Sequence, residues 1–189
     1  MNKILYAFAL AGVLGLSSCS DFLDQTSPSE MTAENTYASP YYTNLRVNKL
    51  YGGMAQDRTY AQDLSIVWNL NSDCELIDGL GSNATNTSSE RGNMNYNMDP
   101  GWSKISGVWD AEYGIIEDAN QIIEGIRSSA TLTAGGANQK SMERSLGEAL
   151  TIRAMVYFDL VRIFGDIPFK VEASKSDLSN AYLEKTDRD

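Results

Sequence analysis

Residues 102–128 constrain the fold most. Ile105, Val108, Trp109, Ile116, Ala119, Ile123 and Ile126 recur at spacings of three and four. That period puts them on one face of a helix. Lys104, Asp110, Glu117, Asp118, Gln121 and Glu124 mostly take the other face. The pattern predicts a long amphipathic helix that must bury its apolar side against other helices. Asn120 sits at the edge of that side, near Trp109 and Tyr113. A buried, unpaired amide costs a few kcal/mol, so Asn120 is expected to bond to another segment.

A second long helix is expected over about Ser141–Phe164. Met142, Leu146, Ala149, Leu150, Tyr157, Leu160 and Phe164 form its stripe. Arg153 falls inside the stripe. Either it pairs with carbonyls or an acid (Asp73, Glu75 and Asp166 are candidates), or its stem lies on the apolar surface and its head reaches water. Met155 and Phe158 lie on the opposite face, so this helix needs cover on both sides. The helix is expected to end at "FGDIPF", where Gly165 suits a left-handed cap and Pro168 prevents restarting.

An earlier helix is expected from Ser39, as N-cap, and Pro40 to a stop at Gly52-Gly53, with Tyr42, Leu45 and the Lys49 stem along one side. Residues 63–77 read as a short buried segment of undecided type. Residues 79–101 are rich in Asn, Ser, Thr and Gly, which marks a long surface loop.

Composition excludes several chemistries. Histidine is absent. This removes Ser-His-Asp and Cys-His nucleophiles and the zinc sites that use His. No phosphate-binding glycine motif or CxxC occurs, and no regular calcium-ligand spacing shows. No cofactor and no metal are expected, and no catalysis. The formal charge of −10 disfavours nucleic acid.

The amino terminus sets location. Lys3 precedes the apolar run Ile4–Leu16, which is too short to span a bilayer. "LSSC", Leu16 to Cys19, resembles a bacterial lipobox, where a peptidase cuts before a cysteine that takes lipid. An ordinary secretory signal with a chance cysteine is the alternative. The expected organisation is a signal at 1–18, a lipidated Cys19 with a polar tether at 19–38, and a helical region at 39–189. Cys74 is then the lone remaining thiol and reads as a small buried hydrophobe.

"GEALTIRAMVYFDLVRIFGDIPF" (147–169) and "WDAEYGIIEDANQII" (109–123) resemble the two motifs of the SusD/RagB-like family, and the lipobox, "SDFLDQTSPSE" and "WNLNSDCE" are similar to the family's start. The resemblance implies an all-α, tetratricopeptide-like helical repeat scaffold with long loops. Such proteins are usually several hundred residues long, so it implies an incomplete N-terminal portion of a larger domain. It further implies an outer-membrane surface lipoprotein that binds glycan or another nutrient and delivers it to a SusC-type TonB-dependent transporter. A tethered helical interaction module, or an inactive truncated fragment, without sugar binding is the other reading. Trp109, Tyr113, Asn120, Arg153, Tyr157, Gly165 and Pro168 match the motifs and are expected to be scaffold. Sugar rings stack on aromatic faces and their hydroxyls bond to amides, carboxylates and guanidinium groups. On that chemistry Asn71, Asp73, Arg91, Tyr96 and Trp102 are the candidate ligand contacts, with Trp102 in the helix core as the competing view.

Overall fold

The computed structural model describes residues 31–69, 72, 101–175, 179 and 182–187. Its described helices are α1 (Ala33–Ala38), α2 (Pro40–Met54), α3 (Asp63–Asn69), α4 (Ser103–Ser128) and α5 (Gly136–Phe164), with a 3-10 turn at Ala130–Thr133 between the last two. The described residues contain no strand; one isolated antiparallel bridge joins Ile167 to Thr186. Among the described residues helix begins at Ala33, so α1 occupies part of the stretch expected as tether.

α4 and α5 are the long antiparallel pair at the centre. Val108, Ile115, Ile116, Ala119, Ile122, Ile123 and Ile126 of α4 are buried, as are Met142, Ala149, Ile152, Val156, Tyr157 and Leu160 of α5. Fully burying one such aliphatic side chain contributes about 2 kcal/mol, so this seam outweighs every surface contact in the molecule. The inward stripe of α5 is rotated from the expected one. Ile152 and Val156 point in, while Leu146, Leu150 and Phe164 are only partly buried. Met155 and Phe158 stay exposed on the far side, at 43% and 60%. α5 also starts earlier than expected, at Gly136, because Gly135 takes the N-cap position with φ of 80°.

α2 starts where Pro40 predicts, at the first helical position. It does not stop at Gly52-Gly53 but runs on to Met54. The missing side chain at Gly53 has a packing use instead, since a Cβ there would stand 3.0 Å from Ile115 Cγ1. Its buried face is also not the expected one. Thr43, Val47 and Leu50 turn inward, whereas Tyr42 and Leu45 are exposed. Thr43 tolerates burial because its hydroxyl donates to the carbonyls of Thr36 (3.2 Å) and Ser39 (2.9 Å).

α3 makes the first seven residues of the undecided 63–77 segment helical, with Leu64 and Val67 packed on Val108 of α4, and of the rest only Ser72 is described. Two ion pairs hold its surroundings and those of α2. Lys104 Nζ donates to Asp63 at 2.8 Å with both side chains mostly covered, and Lys49 Nζ donates to Asp118 at 2.7 Å with the lysine open to solvent. Removing the lysine should therefore differ between them. Lys49→Ala is expected to cost under about 0.5 kcal/mol. Lys104→Ala, which strands a carboxylate that is 8% exposed, is expected to cost about 1–2 kcal/mol. Urea unfolding of the two variants against the parent measures both.

Candidate functional site

After α5, Gly165 turns the chain at φ 74°, and its N–H caps Val161 O at 2.9 Å. The ψ of −124° places Gly165 outside the ordinary left-handed region, in a conformation that suits glycine. Residues 167–174 then run back as an extended strap across α4 and α5. The motif residues hold it. Tyr113 Oη donates to Pro168 O at 2.7 Å. Tyr157 Oη donates to Lys170 O (2.6 Å) and accepts from Lys170 N (2.8 Å). Asn120 Nδ2 donates to the carbonyls of Lys170 and Glu172, both at 3.1 Å. Arg153 Nη1 donates to Asn120 Oδ1 (2.7 Å) and Val171 O (3.1 Å).

Arg153 thus takes a main-chain carbonyl from another segment, one of the pairings expected for it, and adds the side-chain amide of Asn120. Asp166 is not its partner, and Asp73 and Glu75 lie outside the described residues. The amide succeeds because Asn120 is completely buried one helix away, where its oxygen faces the guanidinium and its NH₂ faces the strap. Glu117 and Glu124 complete the clasp. Glu124 Oε1 accepts Ala173 N at 2.7 Å, and Glu117 accepts Ser174 N and Ser174 Oγ, each at 2.9 Å. Burial alone would raise the Glu117 carboxyl. The Ser174 backbone N–H, together with the side chains of Gln121, Ser174 and Lys170, outweighs it and holds the group below its ordinary value.

Aromatic rings run beside the strap. Trp109 stacks edge-on with Phe164 (4.9 Å between centroids) and tilted against Tyr113 (4.7 Å). Tyr113 and Tyr157 are 6.4 Å apart, Tyr157 and Phe169 4.8 Å. Burial raises the phenol of Tyr113, which keeps it a neutral donor. Between the rings and the strap opens a cleft of about 370 Å³, lined by Trp109, Tyr113, Glu117, Pro168, Lys170, Ser174, Tyr182 and neighbours. Tyr182 is 90% exposed. Lys170 Nζ reaches Glu117 at 3.3 Å and also bonds Ser174 Oγ. Aromatic walls beside a carboxylate, an ammonium and a hydroxyl give this cleft the means to hold a ligand with both apolar faces and hydroxyl groups.

Of the five candidate contacts, Asn71, Asp73, Arg91 and Tyr96 lie outside the described residues, as does Cys19. Trp102 is described and is 7% exposed at the N-cap of α4. Its ring is covered, as in the core view, so it offers no face to a sugar. Its indole N–H finds no acceptor among the described residues. Sequence reasoning missed Glu117, Lys170, Ser174 and Tyr182. One signal existed: Trp109, Tyr113 and Glu117 are spaced four apart and must share a helix face. Nothing local places Lys170 or Tyr182 beside them.

Among the described residues no helix is long and apolar enough to cross a membrane, and no cluster of three metal-ligating side chains occurs. The class is therefore an all-α scaffold of paired helices with a strap bound across the longest pair. Residues 21–188 match the family described as "Starch-binding associating with outer membrane". A SusD-like protein of Formosa agariphila is 28% identical over 180 residues, covering 95% of this chain and 33% of its own length. A second one from that organism is 23% identical over 90% of this chain and 31% of its own. A crystal structure of a SusD homologue from Bacteroides thetaiotaomicron superposes with a TM-score of 0.71 at 23% identity, over 84% of this chain and 29% of that one. The chain belongs to the SusD-like family, and it spans about a third of the length of these relatives. The tetratricopeptide-like helical fold is that of the superposed homologue.

Proposed function

We propose that this protein binds glycan at the bacterial surface, anchored to the outer membrane through lipid on Cys19, and passes its ligand to a SusC-type TonB-dependent transporter without chemically altering it. The family's description supplies the starch-like ligand class and the outer membrane. "LSSC" supplies the anchor and Trp109–Glu117 with Tyr182 supply the contact surface. The observation that carries most weight is the match of residues 21–188 to that family. In this reading the exposed Tyr182 ring stacks on a sugar face, and Lys170 and Ser174 bond its hydroxyls.

Affinity electrophoresis in gels containing soluble starch tests it. Retarded migration is expected, and Tyr182→Ala is expected to weaken retention roughly two- to tenfold, the loss of one stacked ring at about 0.5–1.5 kcal/mol. Unretarded migration, with co-purification of an outer-membrane barrel, favours the interaction-module reading instead. The exposed apolar groove at Phe158 and Phe169 gives that reading its specific support.

A further inference from the structure

Two carboxylates are buried in the interior, one on each of the paired helices α4 and α5. Glu112 of α4 is completely buried, and Asp159 of α5 is 3% exposed. Asp159 accepts a hydrogen bond from the Tyr60 hydroxyl, in the turn before α3. Glu112 has no such help, since neither of its oxygens has a partner among the described residues. A charged, unpaired carboxylate in a dry site is far costlier than a neutral one, and a second negative charge nearby adds to the cost.

Among the described residues no cation is bonded to Glu112. Lys104 serves Asp63 (2.8 Å), Lys49 serves Asp118 (2.7 Å) and Lys170 serves Glu117 (3.3 Å). Arg46 reaches Gln121, and Arg153 reaches Asn120 and Val171. Arg162 lies over the rings of Trp68 and Phe158, at 4.2 and 5.2 Å. Arg58 is exposed. α1 meets α4 near Gly125, towards its other end, and its single charged residue, Glu34, is exposed.

We propose that the buried, unpaired Glu112 carboxyl holds its proton at neutral pH in the folded protein, so that closing this helix junction takes up a proton from solvent. Burial, with the Asp159 charge added to it, raises the Glu112 carboxyl from 4.5 to about 8. The sign follows from linkage. Below about 4.5 both folded and unfolded chains hold the proton and the junction has its full stability. Between about 4.5 and 8 the unfolded chain is ionised while the folded one is not, so the folding constant falls about tenfold per pH unit. Above about 8 both are ionised and the fall levels off. The helix junction is therefore strongest in acid.

Urea unfolding of the full chain from pH 5 to 9, parent against Glu112→Gln, tests this. The glutamine variant is expected to lose that tenfold-per-unit slope and to be the more stable of the two at pH 8. Parallel curves overturn the proposal. Asp159→Asn, which keeps an acceptor for Tyr60, is expected to make the parent's fall level off at lower pH; an unmoved plateau overturns the part Asp159 plays in raising Glu112. Carbon-detected NMR reads Glu112 itself. A midpoint near 8 in the folded protein supports the assignment, and one near 4.5 overturns it.

Discussion

Asn120→Ala is expected to lower stability by about 3–4 kcal/mol, which for a body of this size moves the thermal midpoint down by roughly 10 °C. Asn120 joins three partners that do not otherwise meet: the guanidinium of Arg153 and the carbonyls of Lys170 and Glu172. Alanine leaves two strap carbonyls without that donor and the arginine without its amide acceptor. Each bond so lost at a covered group costs about 1–3 kcal/mol, and the sum is held down because Lys170 O keeps Tyr157 Oη, Arg153 keeps Val171 O and water enters beside the strap. Asn120→Asp is a sharper control. It keeps the shape and improves the bond to Arg153, yet it loses both donors to the strap and turns a negative charge on the carbonyls. It is expected to be destabilising too, with the strap amides of Lys170 and Ala173 exchanging hydrogen faster than those of α4. A midpoint within 2 °C of the parent for both variants, with strap protection intact, would show that the clasp contributes little.

Gly125→Leu is expected to cost about 3 kcal/mol. A Cβ at Gly125 would fall 2.1 Å from Tyr37 Cε2 and 2.7 Å from its Cγ. Contacts that reach the root of the ring cannot be relieved by a small side-chain swing, so Tyr37 must leave its site. Tyr37 is 6% exposed, and losing its burial costs about 2–3 kcal/mol. Ser129 Oγ also donates to Tyr37 O at 2.6 Å, and Thr131 Oγ1 to Ala38 O at 2.9 Å. Shifting α1 strains both bonds, while the gain of about 1 kcal/mol from replacing a mid-helix glycine offsets part of the loss. Limited proteolysis is expected to cut near residues 33–38 in the variant and not in the parent. Retained resistance there, with an unchanged urea midpoint, would contradict the close approach of α1 to α4.

The long helices were legible because period carries over long windows. Ile116, Ala119, Ile123 and Ile126 repeat often enough to fix the inward face of α4. α2 was harder to read. Tyr42 and Leu45 are larger and more apolar than Thr43, so sequence favoured the wrong face. The choice was made by Val47 and Leu50, which pack inward, and by two carbonyls that satisfy the Thr43 hydroxyl. Gly52-Gly53 read as a stop, since glycine is a poor helix residue, but the neighbouring helix needs that space for Ile115. The clasp was half legible. Asn120 and Arg153 announced themselves as polar residues at apolar positions, but their mutual bond spans two helices and their other partners are main-chain atoms, which leave no mark in a sequence. Glu112 left none either, because an acid on a helix reads as a solvated one by default. The cleft depends on Lys170 and Tyr182 coming back to α4, and no local pattern encodes that return.

The clasp closes almost entirely on main-chain atoms of the strap: the carbonyls of Pro168, Lys170, Val171 and Glu172, and the N–H groups of Lys170, Ala173 and Ser174. It therefore recognises a path rather than a spelling. Side chains at Val171 and Glu172 are free to be rewritten while the route past α4 and α5 stays the same, so the surface beside the cleft can be retuned without rebuilding what holds it.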